Sequence, residues 1–249
     1  QISNKNLSEN EIKTKKFDNQ NINYTILFLD TNHDSNLSHT TQVVETKHML
    51  KIIEIFSNIL NTHSNIGVIY KSKKSKFLKN LFFQNDNMIK LNNRFHIVND
   101  ADNINPSSFI HLSDLVVSIT ARDIPSAFLE CVISDNTKKF ILYDYNNMFS
   151  FENEFYKITQ NKIIFNNINS FASALNHIIT HKNSDLGLWP INDLEKLDSF
   201  NDNNGIDRFA FYINHLIDNF NNKLSSDQII EFTNLEYKKK FGNDKVIKC

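Results

Sequence analysis

The sequence predicts an α/β fold, a Rossmann-like parallel sheet of about six strands flanked by helices, with two long C-terminal helices. Two observations predict it. Short, mostly continuous apolar runs recur at Tyr24–Leu29, Ile66–Tyr70, Phe95–Val98, Leu115–Ile119, Phe140–Tyr143 and Lys162–Phe165, as expected of strands covered on both faces. Segments with helical spacing lie between them, and strand–helix alternation of this kind means parallel strands joined by right-handed crossovers.

Residues 1–23 are polar, with Lys13-Thr14-Lys15-Lys16 and several Asn, and read as a linker or arm. The first strand is followed by Val43–Asn61, where Val44, His48, Ile52, Ile55 and Ile59 recur at spacings of three and four, one face of a helix. Lys76–Phe83 and Pro106–Leu112 are shorter helix candidates, the second with Pro at its first position, where a missing N–H costs nothing. Pro125–Ile133 and Ile168–His181 follow the fourth and sixth strands. After Trp189-Pro190 the pattern changes. An Asn- and Asp-rich loop, Asn192–Gly205, precedes helices over Ile206–Asn221 and Ser225–Phe241, and Ser225 with Gln228 forms a capping box. The division is therefore an arm (1–23), a sheet domain (24–190), and a loop with helices (191–249) that pack on the sheet's flank or on a neighbouring domain.

Bulk properties narrow the function. Apolar residues make up 40% and charged residues 22%, a globular composition. A net charge of -1 supplies no field for nucleic acid or an acidic membrane surface. Two cysteines, Cys131 and Cys249, exclude a disulfide framework and a four-cysteine zinc site. Cys131 lies in an apolar helix pattern as a small core residue, and a reducing, cytoplasmic compartment fits. No stretch approaches the ~20 apolar residues of a membrane span, and no secretory signal opens the chain. The chain begins with Gln1 rather than Met, which reads as a processed or excised portion of something longer.

Chemistry concentrates in Leu115–Glu130, a buried strand, a polar turn and a helix whose first turn carries Ser126. A helix N-terminus exposes unpaired N–H groups and the positive end of its dipole, so the Ser126 hydroxyl with the Ser126 and Ala127 amides can hold a diphosphate. An ordinary first turn is the plain alternative. Glu130 follows four residues later on the same face, among apolar neighbours. A carboxylate there can accept hydrogen bonds from sugar hydroxyls. In an open parallel sheet the ligand lies at the carboxyl ends of the strands, so the loops Asp30–Thr41, Lys71–Ser75, Asn99–Asn105, Thr120–Pro125 and Asp144–Ser150 are the ones to inspect. Thr120 and Arg122 belong to the fourth of these. Lys71 and Lys73 directly follow the second strand, where a lysine offsets phosphate charge or simply forms a basic loop; Arg122 shares that role or pairs with Asp123. Asp100-Ala101-Asp102, and His33, Asp34 and His39, match metal-ligand types only weakly. No Gly-x-Gly-x-x-Gly, P-loop or Gly-x-Ser-x-Gly occurs, which argues against dinucleotide redox, P-loop and α/β-hydrolase chemistry.

Several segments in order carry a resemblance. They are Thr25-Ile26-Leu27-Phe28-Leu29; Ile69-Tyr70-Lys71-Ser72-Lys73; His111-Leu112-Ser113-Asp114-Leu115-Val116-Val117-Ser118; Pro125-Ser126-Ala127-Phe128-Leu129-Glu130; and Lys139-Phe140-Ile141-Leu142-Tyr143-Asp144. With Asp198-Ser199-Phe200-Asn201-Asp202, Arg208, Tyr212 and the closing helix from Tyr237 to Val246, the chain from residue 24 onward resembles the C-terminal, donor-binding half of GT-B-fold glycosyltransferases, particularly bacterial ones of surface-polysaccharide assembly. It departs from that family at Ser134-Asp135-Asn136-Thr137, where Gly is usual, and at Ser199 and Asn201, where Pro and Arg are usual.

The resemblance implies that Ser126, Ala127 and adjacent groups contact the diphosphate of a nucleotide-sugar donor. Glu130 would then meet the ribose, and Lys71 would offset leaving-group charge. It implies no cofactor and no obligatory metal, a carbohydrate or lipid-linked glycan acceptor, and an N-terminal GT-B domain that supplies the acceptor's base. The cytoplasm, at the periphery of the inner membrane, is the expected place. Two rivals remain. One is a non-catalytic interaction domain, in which Glu130 would be salt-bridged or buried against structure; the other is a sugar-nucleotide epimerase of related architecture.

Overall fold

Helices on both faces of the sheet leave its central strands no wet side, which is why they read as mostly apolar runs. The strands are β1 (Tyr24–Leu29), β2 (Ile66–Lys71), β3 (Phe95–Val98), β4 (Leu115–Thr120), β5 (Lys139–Asp144) and β6 (Ile164–Phe165). They belong to a computed structural model that describes residues 21–31, 44–73, 93–98, 105–120, 124–149, 154–190 and 204–242. The order across the sheet is β3-β2-β1-β4-β5-β6, every neighbouring pair being parallel. Every residue of β1, β4 and β5 is buried. The α/β class, the parallel sheet and its six strands are as the sequence predicts.

On one face, Ile26, Phe28, Val117, Ile119 and Ile141 pack with Met49, Ile52 and Phe56 of α1 (Thr46–Thr62) and with Phe171, Leu175 and Ile178 of α4 (Ile168–Thr180). On the other, Phe140 meets Phe128 of α2 (Ser126–Ser134) edge-on at 5.6 Å. Gly187 has φ +83, and a Cβ there would lie 3.0 Å from Ile178 Cδ1. Only glycine lets this turn come close enough for its carbonyl to accept the Phe140 N–H at 2.7 Å.

The C-terminus of α1 is closed by a side chain from elsewhere. Arg94 Nη1 donates to the carbonyls of His63 (2.5 Å) and Ile66 (2.9 Å), and Nη2 donates to that of Leu60. A guanidinium there satisfies orphan carbonyls and complements the negative end of the helix dipole. Arg94→Ala should cost about 2–3 kcal/mol, read as a lower urea midpoint with an unchanged m-value.

Pro106–Leu112 is helical over the expected residues, with Pro at its start, and is of the 3-10 type. Its buried Phe109 and Leu112 are three apart, and at three residues per turn they fall on one line against the sheet. The sixth strand is Ile164–Phe165 rather than Lys162–Phe165, because Asn161 turns the chain at φ 55 and residues 161–163 form a turn. A short helix not anticipated, α3 (Glu154–Thr159), follows β5. The expected helix Lys76–Phe83 lies outside the described residues.

The chain divides into two compact units, Gln1–Asp193 and Leu194–Cys249. The second holds α5 (Gly205–Asn221) and α6 (Ser226–Phe241), antiparallel, since Asn219 bonds to Thr233 while Phe211 meets Phe241. Ser225 and Gln228 form the expected capping box. Tyr212 donates to Asn234 at 2.9 Å, and Lys240 Nζ sits 4.3 Å from the Phe211 ring centre. No helix among the described residues is long and apolar enough to cross a membrane.

Candidate functional site at the carboxyl edge of the sheet

The chain winds outward from β1 in both directions, to β2 and β3 on one side and to β4, β5 and β6 on the other. The carboxyl ends of β1 and β4 are therefore where strand order reverses, the place at which open α/β sheets bind their ligands. Their pairing stops at Leu29↔Ser118, locked by the Ser118 hydroxyl donating to the Leu29 carbonyl at 2.8 Å. β4 continues along β5 to Thr120↔Asp144. The edge is thus stepped beside Asp30 and Thr31.

Thr120, buried, ends β4 at this step. Pro125 is the N-cap of α2 and supplies no side-chain cap. Its carbonyl takes the N–H groups of Phe128 (2.9 Å) and Leu129 (3.1 Å), which leaves the Ser126 and Ala127 amides without helical acceptors, as first-turn amides must be. Neither these amides nor the exposed Ser126 hydroxyl is hydrogen-bonded among the described residues.

Glu130, one turn further along α2, is half-buried and is held from one side. Its Oε1 accepts from Asn105 Nδ2 at 2.7 Å and from Ser107 Oγ at 3.1 Å. Its Oε2 accepts no hydrogen bond among the described residues. The acid is therefore neither salt-bridged there nor left entirely to solvent. The next residue, Cys131, is buried, and burial with a smaller contribution from the Glu130 charge pushes its thiol up to about 12. It is a core thiol and not a nucleophile.

Lys71 ends β2, half-buried, and Lys73 is exposed two residues on. With strands ~4.8 Å apart, the end of β2 stands about 10 Å from that of β4. Thr120, Ser126, Ala127 and Glu130 thus share one strand–helix unit, and the lysines stand across β1 from it. Arg122 and Asp123 lie outside the described residues, as do Asp100-Ala101-Asp102, His33, Asp34, His39, Ser199 and Asn201. Among the described residues no three His, Cys, Asp or Glu side chains gather as a metal site would require.

Sequence reasoning gave no role to five side chains at this edge. Tyr70 donates to Asp30 Oδ2 at 2.9 Å, and the Thr31 N–H donates to Oδ1 at 2.6 Å. Burial first, then the charge and hydrogen bond of Asp30, push the Tyr70 hydroxyl up, so it remains a donor. The available signal was an Asp directly after a mostly apolar strand. Asn105 and Ser107, which hold Glu130, left no local signal. Asp144, fully buried, accepts the Phe149 N–H at 3.1 Å. Burial pushes its carboxyl up against the opposing pull of the Phe149, Met148, Asn146 and Asn147 amides, and it closes its own turn.

No protein-family model matches the chain, and no curated protein matches it by sequence. Solved structures match by fold. S. aureus MnaA, in a co-structure with UDP, aligns with a TM-score of 0.50 at 11% identity, covering 82% of this chain and 48% of that one. A putative UDP-N-acetylglucosamine 2-epimerase from Listeria monocytogenes aligns at 0.48 and 13%, covering 77% of this chain and 44% of that one. The C-terminal domain of a glycosyl transferase group 1 family protein (LpcC) from Francisella tularensis aligns at 0.45 and 12%, covering 70% of this chain and 86% of that one. This chain spans about half the length of the first two. At this identity the likeness is one of fold alone: the chain shares the Rossmann-like α/β architecture of part of the MnaA structure.

Proposed function

We propose that this chain binds a nucleotide-sugar at the carboxyl edge of its sheet and forms the donor half of a GT-B glycosyltransferase. The observation that supports this reading is the pairing, on one helix beside the strand-order switch, of first-turn amides and an acid oxygen that make no hydrogen bond among the described residues. At 1.5 Å per residue, Ser126 and Glu130 are about 6 Å apart along α2, the scale of the step from a diphosphate to its ribose. The amides and helix dipole meet the diphosphate, and Glu130 meets the ribose hydroxyls. S. aureus MnaA, of the same fold, was solved with UDP, which makes UDP the natural first probe.

In the reaction the bond between the sugar's anomeric carbon and the diphosphate oxygen breaks, and the nucleoside diphosphate leaves with the electron pair. The acceptor hydroxyl takes its place at that carbon, and its proton passes to a base on the N-terminal half. Lys71, Lys73 and Arg122, with Thr120 and the Ser126 amide, are the groups here that offset the growing phosphate charge, without a resident metal or other cofactor. The acceptor is a carbohydrate or lipid-linked glycan of surface-polysaccharide assembly, met at the cytoplasmic side of the inner membrane. A second reading, a non-catalytic interaction domain that has lost its nucleotide ligand, is favoured by one observation: Asn105 and Ser107 already hold Glu130 Oε1. Isothermal calorimetry with UDP, GDP, ADP and CDP tests the proposal. Saturable one-site binding of at least one is expected; no heat from any of them would leave the second reading standing.

A further inference from the structure

We infer that Asn105 and Ser107 are positioning residues that fix the Glu130 carboxylate and thereby set the site's preference for ribonucleotides over deoxyribonucleotides. The inference rests on the nucleotide-binding reading above and concerns how that site reads a sugar. Asn105 stands at the N-cap of the 3-10 helix, a place where Asn ordinarily caps its own helix. It does not: its side chain makes no capping hydrogen bond and reaches instead across 25 residues of sequence to Glu130 Oε1 at 2.7 Å. Ser107, on the first turn of the same helix, donates to the same oxygen at 3.1 Å. Two donors from one element converge on one oxygen of another.

The chemistry of that pair matters. A glutamate's terminal torsion is broad and two-fold, so an untethered carboxylate presents either oxygen, or both, to a neighbouring diol. Bonds from Asn105 and Ser107 remove that freedom. Both donors are neutral, so they orient the carboxylate without cancelling its charge, as an arginine or lysine would. Oε2 is left as the acceptor, aimed by the clamp, and a site built to bond a hydroxyl rejects the analogue that lacks it.

The test compares UDP with 2′-deoxy-UDP and 3′-deoxy-UDP by calorimetry on the full chain, with circular dichroism to confirm folding. The native chain should bind UDP about tenfold or more tighter than at least one deoxy analogue. Asn105→Ala with Ser107→Ala should weaken UDP binding while hardly changing that of the discriminated analogue, so that the ratio falls toward one. Ser107→Thr, which keeps a hydroxyl, should retain it. A merely structural role would lower all affinities together and leave the ratio intact, which overturns the inference, as would a native chain that binds UDP with no discrimination. A native chain that binds no nucleotide overturns the binding reading and this inference with it. Should the double variant fail to fold, Ser107→Ala alone must still lower the ratio for the inference to stand.

Discussion

Glu130→Ala should reduce UDP affinity by tenfold or more, with the melting temperature nearly unchanged. A hydrogen bond to a charged acceptor contributes about 1.5–3 kcal/mol, and about 1.4 kcal/mol is a factor of ten in Kd. The fold should tolerate the change. Glu130 is half-buried, its partner Asn105 is exposed and can turn to water, and Phe128, Cys131 and Val132 carry the packing of α2. Glu130→Gln separates shape from charge. Its amide oxygen can still accept from Asn105 and Ser107, while the group facing the ribose becomes a neutral donor, so affinity should fall nearly as far as in the alanine variant. Equal UDP binding by native and alanine forms in calorimetry would remove the acid from the site.

The largest stability effect should come from Phe28→Ala, a loss of about 3–5 kcal/mol. Phe28 is fully buried in β1, with its ring 5.1 Å from that of Phe56 and 5.0 Å from that of Tyr70. It therefore joins the central strand to α1 and to the strand beside it. Truncation forfeits the burial of a large apolar side chain and leaves a void that backbones on both sides of β1, held by ladder hydrogen bonds, cannot close. Tyr70 lies along that void, so its bond to Asp30 should loosen as well. Urea unfolding with an unchanged m-value and a lowered midpoint is the expected record; a midpoint within error of the native one would mean that this contact is not central to the core.

The parts of the fold legible in the sequence were those in which one residue property repeats locally. Burial on both faces makes β1, β4 and β5 mostly apolar runs, and the capping box of α6 is written in two residues three apart. Shorter elements were harder. The 3-10 helix shares its apolar spacing with an α-helix, and only its hydrogen-bond pattern separates the two. β6 lost two residues to the turn at Asn161, a positive-φ site that Asn can take but does not announce. Helix α3 has six residues, too few for a periodic signal. At the site, Ser126 and Glu130 were visible because a strand, a turn and a helix follow in order. Asn105, Ser107 and the Asp30–Tyr70 pair were not, because each acts on a partner at least 23 residues away, a relation that no local pattern carries.

Amide chemical shifts followed while UDP is titrated into the isotope-labelled chain test the proposal most directly. The Ser126 and Ala127 N–H signals should move along a single saturating curve, with Glu130 and Asn105 responding alongside them. Saturation of the protein with UDP while those two amides stay fixed would place the nucleotide elsewhere and contradict a diphosphate seat at the start of α2.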